Sequence, residues 1–481
     1  MPRLPPLHFA TIVGFVLAVL LLAQELRKRR APAATFAWLF AMALFPYVGV
    51  PLYFVFGGRK LSRRAASKSP VYAPRRVKAP PAKDAVEPLE RLLDGMGVRP
   101  ATTDNGVELL STGESAYRAL LDLIDGAQSR IHVATFILGG DETGNAIVEH
   151  LTRRAREKLE VRLLIDGLFM FRTNRAALDE LRRAGGRVAV FMPLVHVPFR
   201  GRSNLRNHRK IAVADGARAI IGGMNLAAEY MGPRPLEGRW RDVALCIHGS
   251  AALDLDALFR DDWAFASRER LDAPAARDGE APEAAFASRE RLGAPAARDG
   301  EAPDASVRIV ASGPDVETDT LYDAILFELF TAKERILIAT PYFVPDDAMV
   351  RALVLACRRG VEVEVVFPMP SNHLMADLAG APSLRMLESM GAKIRPYREG
   401  MLHAKVIVVD RSLAAVGSAN FDMRSLFLNY EVMALLYDDG EVNLMADWFQ
   451  RLAATCDTRL PKVGRLRAAA EDVAHLFGPL T

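Results

Sequence analysis

The chain has 481 residues, half of them hydrophobic, with a mean hydropathy of +0.08 and a formal net charge of +4. That length exceeds one small core and suits two similar domains plus further segments. Three scattered cysteines, Cys246, Cys357 and Cys456, exclude a disulfide framework, and the lack of any CxxC or Cys/His cluster excludes a zinc site. They read as small apolar residues in a reducing compartment.

The charge is unevenly placed. Residues 1–80 hold 13 Lys/Arg against Glu25 alone, a net +12, which leaves −8 for the remainder. A basic segment beside apolar runs points to anionic lipid headgroups, and the apolar runs argue against nucleic acid as the partner. The first run, Leu7 to Ala23, spans about 25 Å as a helix. The second, Ala33 to Gly57, has no charge and is ample for a bilayer, with Pro46 and Pro51 interrupting it. Trp38, Tyr47 and Tyr53 suit the interfaces. Residues 1–60 therefore read as a two-helix transmembrane hairpin with spans at 7–23 and 33–57. A cleaved signal peptide is the competing reading of the first run, disfavoured by the longer run that follows.

Four basic residues, Arg27 to Arg30, lie in the short loop, and nine lie outside it between Arg3 and Lys78. This count puts both ends of the hairpin, and the residues that follow it, in the cytoplasm, in a chain that crosses the membrane more than once. Residues 61–105 read as a basic linker, richest in Pro, Ala and Lys/Arg from Ser62 to Val86.

Strand and helix patterns alternate from Gly106 onward. Ala116–Ala127, Gly144–Lys158 and Arg175–Ala184 read as helices, and Ile131–Ile137, Val161–Ile165 and Arg187–Phe191 as strands. The order recurs later: helices at Asp319–Ala332, Asp346–Arg359 and Ser383–Met390, strands at Ile336–Ala339, Val361–Phe367 and Lys393–Pro396. The pattern predicts an α/β fold of two similar halves, 106–263 and 306–481, made by internal duplication. Between them AFASRERLDAPAARDGEAP begins at Ala264 and recurs at Ala285 with Gly293 for Asp272. A 21-residue repeat rich in Ala, Pro, Arg and acids cannot bury a core, so 264–305 is expected to be a disordered insert.

Two polar motifs stand out. His208, Lys210 and Asp215 have the spacing H-x-K-x4-D, followed by Gly222-Gly223-x-Asn225. His403, Lys405 and Asp410 repeat it 195 residues later, followed by Gly417-Ser418-x-Asn420. Ile211–Val213 and Val406–Val409 are short, apolar and mostly β-branched, as buried strands are. Residues two apart on a strand share a face, so each His emerges with its Lys. An ammonium and a neutral Asn donor suit a phosphate, with Ser418 a further donor. Two histidines across that phosphate can divide attack and proton transfer. Asp215 and Asp410 complete the catalytic set with the two His–Lys pairs, although each closes a strand before a turn and can act there structurally. No metal or cofactor is expected, because lysine and asparagine supply the donors.

The paired H-x-K-x4-D motifs resemble the phospholipase D superfamily. GSANFDMRSLFLNYE, NLRNHRKIAVADG, GGMNLAAEY and TPYFVPDD are similar to bacterial cardiolipin synthases. The resemblance implies two pseudo-symmetric α/β-sandwich halves behind the membrane hairpin, a location at the bacterial inner membrane with the catalytic part cytoplasmic, and transfer of a phosphatidyl group from one phosphatidylglycerol to another. It also implies a ping-pong route through a phosphatidyl-histidine, with His208 as nucleophile and His403 as acid/base. A carboxylate is then expected on the far nitrogen of each imidazole. Glu431, 28 residues past His403, and Asp242, 34 past His208, are the candidates. Two positions depart from the pattern: Gly223 stands where the other copy has Ser418, and Asn372 where such synthases often have Asp. Water as acceptor would make the same residues a hydrolase, and another alcohol a different transferase. A nucleic-acid phosphodiesterase and a catalytically dead scaffold are the remaining readings; the membrane hairpin and the two intact motifs oppose them.

Overall fold

The computed structural model describes residues 68, 70–72, 88–193, 205–271, 304–316 and 318–476. The expected membrane spans at 7–23 and 33–57 lie outside them, as do residues 272–303 of the repeat. No helix among the described residues is long and apolar enough to cross a membrane.

The first half contributes strands β1 (Thr102–Leu110), β2 (Arg130–Thr135), β3 (Glu160–Asp166), β4 (Arg187–Phe191), β5 (Ile211–Ala214), β6 (Arg218–Gly222) and β7 (Ala244–His248). The second contributes β8 (Ala305–Ser312), β9 (Arg335–Ala339), the two-residue β10 (Phe343–Val344), β11 (Glu362–Pro368), β12 (Lys393–Tyr397), β13 (Val406–Val409), β14 (Leu413–Gly417), the short β15 (Phe421–Asp422) and β16 (Glu431–Leu436). Fourteen of these form one sheet in the order β12-β11-β9-β13-β14-β16-β8-β1-β7-β6-β5-β2-β3-β4. Read outward from the β1–β8 join, both arms follow one plan: four antiparallel pairings and then two parallel ones. β10 and β15 pair separately.

Both sheet faces are covered, which explains the uniformly apolar strands. Ala212 and Ala214 face one core with helices α2 (Gly113–Gly126), α3 (Glu142–Arg156) and α4 (Arg175–Arg183). Ile211 and Val213 face the other core, with α5 (Ser250–Ser267). This is the period-two alternation of a strand buried on both sides. In the second half α6 (Thr320–Thr331), α7 (Asp347–Arg358), α8 (Leu374–Ser389) and α10 (Asp439–Ala453) take corresponding places, with the short α9 (Met423–Phe427) before β16. A final helix, α11 (Arg465–Leu476), packs on α8.

Three boundaries differ from the sequence reading. Residues 88–95, expected in a linker, form helix α1 (Pro88–Gly95), whose Leu89 and Leu93 are buried. Lys68 and Tyr72, from the same stretch, are also buried. Residues 264–271, expected to open the insert, instead finish α5 and place Glu269 against Trp263 Nε1 at 3.3 Å and beside Arg187. Helix α8 starts nine residues before Ser383 and carries Pro382 inside it. Proline removes one amide donor yet is tolerated where packing supplies the rest; here Ala379, Gly380, Ser383 and Leu384 are buried beside it.

Candidate active site

Both motif histidines stand just before a strand, on the stretches leading into β5 and β13. Each is held by the opposite half. His208 N donates to Tyr430 O at 2.9 Å, and Tyr430 N donates to Arg206 O at 2.9 Å. The counterpart is His403 N donating to Arg241 O at 2.7 Å, with Arg241 N donating to Met401 O at 2.8 Å. These two short parallel bridges lock each histidine next to a carboxylate from the other half.

The carboxylates therefore cross over. His208 Nδ1 lies 2.9 and 3.0 Å from the Glu431 oxygens. His403 Nδ1 lies 2.7 Å from Asp242 Oδ2. A carboxylate on Nδ1 fixes the tautomer and leaves Nε2 free for chemistry. Lys210 Nζ donates to His208 O at 2.7 Å, and Lys405 Nζ lies 2.8 Å from His403 Nδ1. All six side chains are buried.

Burial dominates their protonation. It depresses His208 to about 4 and drives His403 well down, with the neighbouring ammonium groups adding to the effect. Burial likewise lowers Lys210 to about 7 and Lys405 to about 8, against the pull of Glu431 and Asp242. Asp242 is pushed up to about 7 by burial. Burial also works to raise Glu431, but His208 and Lys210 outweigh it and hold the group below its usual range. An anionic phosphodiester entering between the lysines would restore their charge.

Several expected residues serve the frame instead. The Ser418 hydroxyl, expected on phosphate, donates to Glu431 Oε2 at 2.5 Å and accepts from Val432 N at 3.0 Å. Asn225 Oδ1 accepts from Ile137 N at 3.2 Å, and its side chain also bonds Tyr230. Asn420 is buried beside the site and bonds Asp422. Asp215 and Asp410 do not join the site. Four strand residues separate each from its lysine, which puts the two about 16 Å apart along the chain. With positive φ of 56° and 51°, each turns back to accept from three successive amides, Gln128–Arg130 and Lys333–Arg335 respectively. They pin the starts of β2 and β9, which corrects their assignment as catalytic.

Aromatic walls were not foreseen. Phe136 meets the His208 ring edge-on at 4.9 Å, while Tyr230 and Trp240 meet His403 at 5.1 and 5.4 Å. Tyr230 lies in the phrase GGMNLAAEY and Trp240 two residues before Asp242, so proximity to motif letters was the available signal. These rings exclude water and keep the imidazoles desolvated.

A family model described as "Cardiolipin synthase, PLD-like domain" matches residues 120–263 and 325–453. A second, "Phospholipase_D-nuclease N-terminal", matches residues 15–58. The chain belongs to the cardiolipin synthase family of phospholipase D-like proteins. The cardiolipin synthase of Geobacillus kaustophilus is 32% identical over 94% of this chain and 90% of that protein. The major cardiolipin synthase of Bacillus subtilis is 32% identical over 89% and 88%. In fold, the chain resembles the crystal structure of phosphatidylserine synthase from Haemophilus influenzae, with a TM-score of 0.58 over 81% of this chain and 97% of that one at 17% identity. The two segments of the family match carry one histidine–lysine pair each.

Proposed function

We propose that this chain is a cardiolipin synthase that joins two phosphatidylglycerol molecules, releasing glycerol. The observation that carries the reading is the crossed pair His208–Glu431 and His403–Asp242, in a chain one-third identical to curated cardiolipin synthases along nearly its whole length. The site contains a nucleophile, a proton carrier and two ammonium groups, which is what phosphodiester exchange requires.

The two pairs suit different steps. Glu431 is held ionised, so it orients neutral His208 with Nε2 toward phosphorus. His208 attacks, the P–O bond to glycerol breaks, and a phosphatidyl-histidine forms. The His403–Asp242 pair holds a proton up to about pH 7 through the carboxyl and delivers it from Nε2 to the departing glycerol oxygen. The pair then takes the proton from a hydroxyl of the second phosphatidylglycerol, whose oxygen attacks the phosphatidyl-histidine and frees His208. Lys210 and Lys405 stabilise charge on the phosphoryl oxygens. Behind β10, one strand away from the segment after Asn420, a cavity of about 360 Å³ lined by Tyr342, Phe343, Met369, Leu384 and Val463 offers apolar room for an acyl chain.

The same reading puts residues 1–60 in the inner membrane as a hairpin, with the halves cytoplasmic against anionic lipid. The family match at 15–58 and the +12 charge of residues 1–80 support it. A reporter fused after Thr481 tests the orientation; signal from an exclusively external reporter overturns it. For the chemistry, the purified protein is incubated with phosphatidylglycerol and its lipids weighed by mass spectrometry. Cardiolipin with glycerol supports the synthase, whereas phosphatidic acid identifies a hydrolase.

A further inference from the structure

A buried cluster of two cations and two anions lies beneath the catalytic histidine of the first half. Arg209, between His208 and Lys210, is fully buried. Its Nη1 donates to Asp262 Oδ1 at 2.6 Å, its Nη2 to Ser312 O at 3.1 Å, and its Nε to Glu431 O at 3.1 Å. Asp262, on α5, also accepts from Asn207 Nδ2 at 3.1 Å. Asp315 follows β8 in the other half and lies 3.5 Å from Arg209 Nη2. The second cation is Lys68. Its ammonium bonds both Asp262 and Asp315 at 2.5 Å, with side-chain exposures of 2%, 0% and 0% for the three residues.

Lys68 comes from the stretch between the N-terminal family match and the catalytic halves. The strap it belongs to is seated by backbone as well. Val71 N donates to Asp315 O at 3.1 Å, and Ala311 N donates to the Tyr72 hydroxyl at 2.7 Å. Lys68 and Arg209 flank the Tyr430 ring at 5.2 and 5.5 Å. Tyr430 is the residue whose carbonyl holds His208 N and whose neighbour is Glu431.

We propose that Lys68 is a positioning residue for His208 and Glu431, by which the membrane-proximal segment completes the catalytic centre. The physical reason is charge balance. Without the ammonium, two buried carboxylates compete for one guanidinium, a costly imbalance in a low-dielectric site. Arg209 then recentres between them, and its Nε leaves the Glu431 carbonyl. Asn207 and Tyr430 shift with it, and the His208–Glu431 geometry opens. The inference rests on the phosphatidyl-transfer reading, but only on its first half, which precedes the choice of acceptor.

The test measures glycerol release by the full-length chain in vesicles containing phosphatidylglycerol. Lys68→Met is expected to lower kcat about 10²-fold, the effect of a small misplacement of reacting groups, and to leave KM unchanged. The acid limb of the kcat profile should move to higher pH. His208 faces Glu431, Lys210, Lys405 and His403, and losing one nearby cation favours its protonated form. Lys68→Arg, which keeps the charge, should recover most of the rate. A folded Lys68→Met protein with wild-type kcat overturns the proposal. So does a loss confined to KM, which would put Lys68 on the lipid headgroup. If Lys68→Met does not fold, Lys68→Met/Asp315→Asn restores neutrality and should return kcat close to wild type; a folded double variant that still shows the about 10²-fold kcat loss would equally overturn charge balance as the cause. Phosphatidic acid in place of cardiolipin would correct the synthase reading and leave this result intact.

Discussion

Gly223 and Asp242 occupy in the first half the places that Ser418 and Glu431 occupy in the second. The difference is one hydroxymethyl group and one methylene, in halves whose strand orders match throughout. A Cβ on Gly223 would stand 2.4 Å from Asp242 Oδ1, so no serine fits beside the shorter acid. Asp242 instead leans on its neighbour's amide, with Val243 N donating at 2.7 Å. Glu431 collects the Ser418 hydroxyl and the Asn429 amide in addition to His208. One carboxyl is thus kept ionised, and the other, pushed up to about 7 by burial, keeps a proton. The two copies differ in what each carboxyl is bonded to beside its histidine. The glycine in place of the motif serine goes with a shorter acid and a different set of hydrogen bonds to it.

The largest test of that asymmetry is removal of either imidazole. His208→Ala and His403→Ala should each lower turnover by at least ~10²-fold, the scale of a lost acid–base group. They should differ in what accumulates. With His208 present and His403 absent, quenched protein should retain phosphatidyl label on histidine; His208→Ala should retain none. Label on His403 would reverse the roles of the halves.

Replacing the acids comes next. Glu431→Gln loses the ionised partner that fixes the His208 tautomer, and about 10²-fold in kcat is expected. Asp242→Asn should cost about 10-fold, since the amide still bonds Nδ1 but carries no proton to share. The reverse order in steady-state kinetics would contradict the division of labour.

Ser418→Ala is a finer probe. It removes one hydrogen bond to a carboxylate, worth about 10-fold in kcat. Its signature is in the pH profile. Glu431 lies below its usual range partly because of that hydroxyl, so without it the carboxylate protonates at higher pH. Activity near pH 5 should therefore fall more than activity near pH 8. An equal loss at both would remove Ser418 from the proton network.

Much of the frame was legible in the sequence, because buried strands between helix layers leave unbroken β-branched runs such as Val406–Val409. Proline hid the start of α8, since Pro382 reads as a break when the surrounding packing is unknown. The carboxylate partners were legible as residues but not as pairs. Spacing counts along one chain, whereas Glu431 and Asp242 reach across the pseudo-twofold. Lys68 left no signal at all: a lysine among Ser, Ala and Arg looks solvated until two aspartates from distant elements meet it. The third motif letters also changed meaning. Asp215→Ala and Asp410→Ala should each cost about 1–3 kcal/mol of stability, from the loss of amide caps, and leave kcat unchanged in the surviving folded protein. A kcat loss at full stability in either half would return that aspartate to the chemistry.

The smallest effect is expected from the repeat. Glu269, within the first copy, bonds Trp263 Nε1 and pairs with Arg187 and Arg162, so cutting at Ala264 looks harmful. Yet deleting Ala264 to Ala284 joins Trp263 to Ala285, and the next residues read AFASRERL again, with Glu290 in the place of Glu269. The end of α5 and its carboxylate would be rebuilt by the second copy. Shortening the rest of the connection changes closure entropy by only about 0.6 kcal/mol per doubling of loop length. Melting temperature and turnover should therefore both stay at wild-type values. Deleting Ala264 to Leu292, which removes both AFASRERL segments, should instead destabilise the end of α5 through loss of the Glu269 contacts. If the single-copy deletion is as damaging as the longer one, the two copies are not interchangeable, and the segment between them has a packed role of its own.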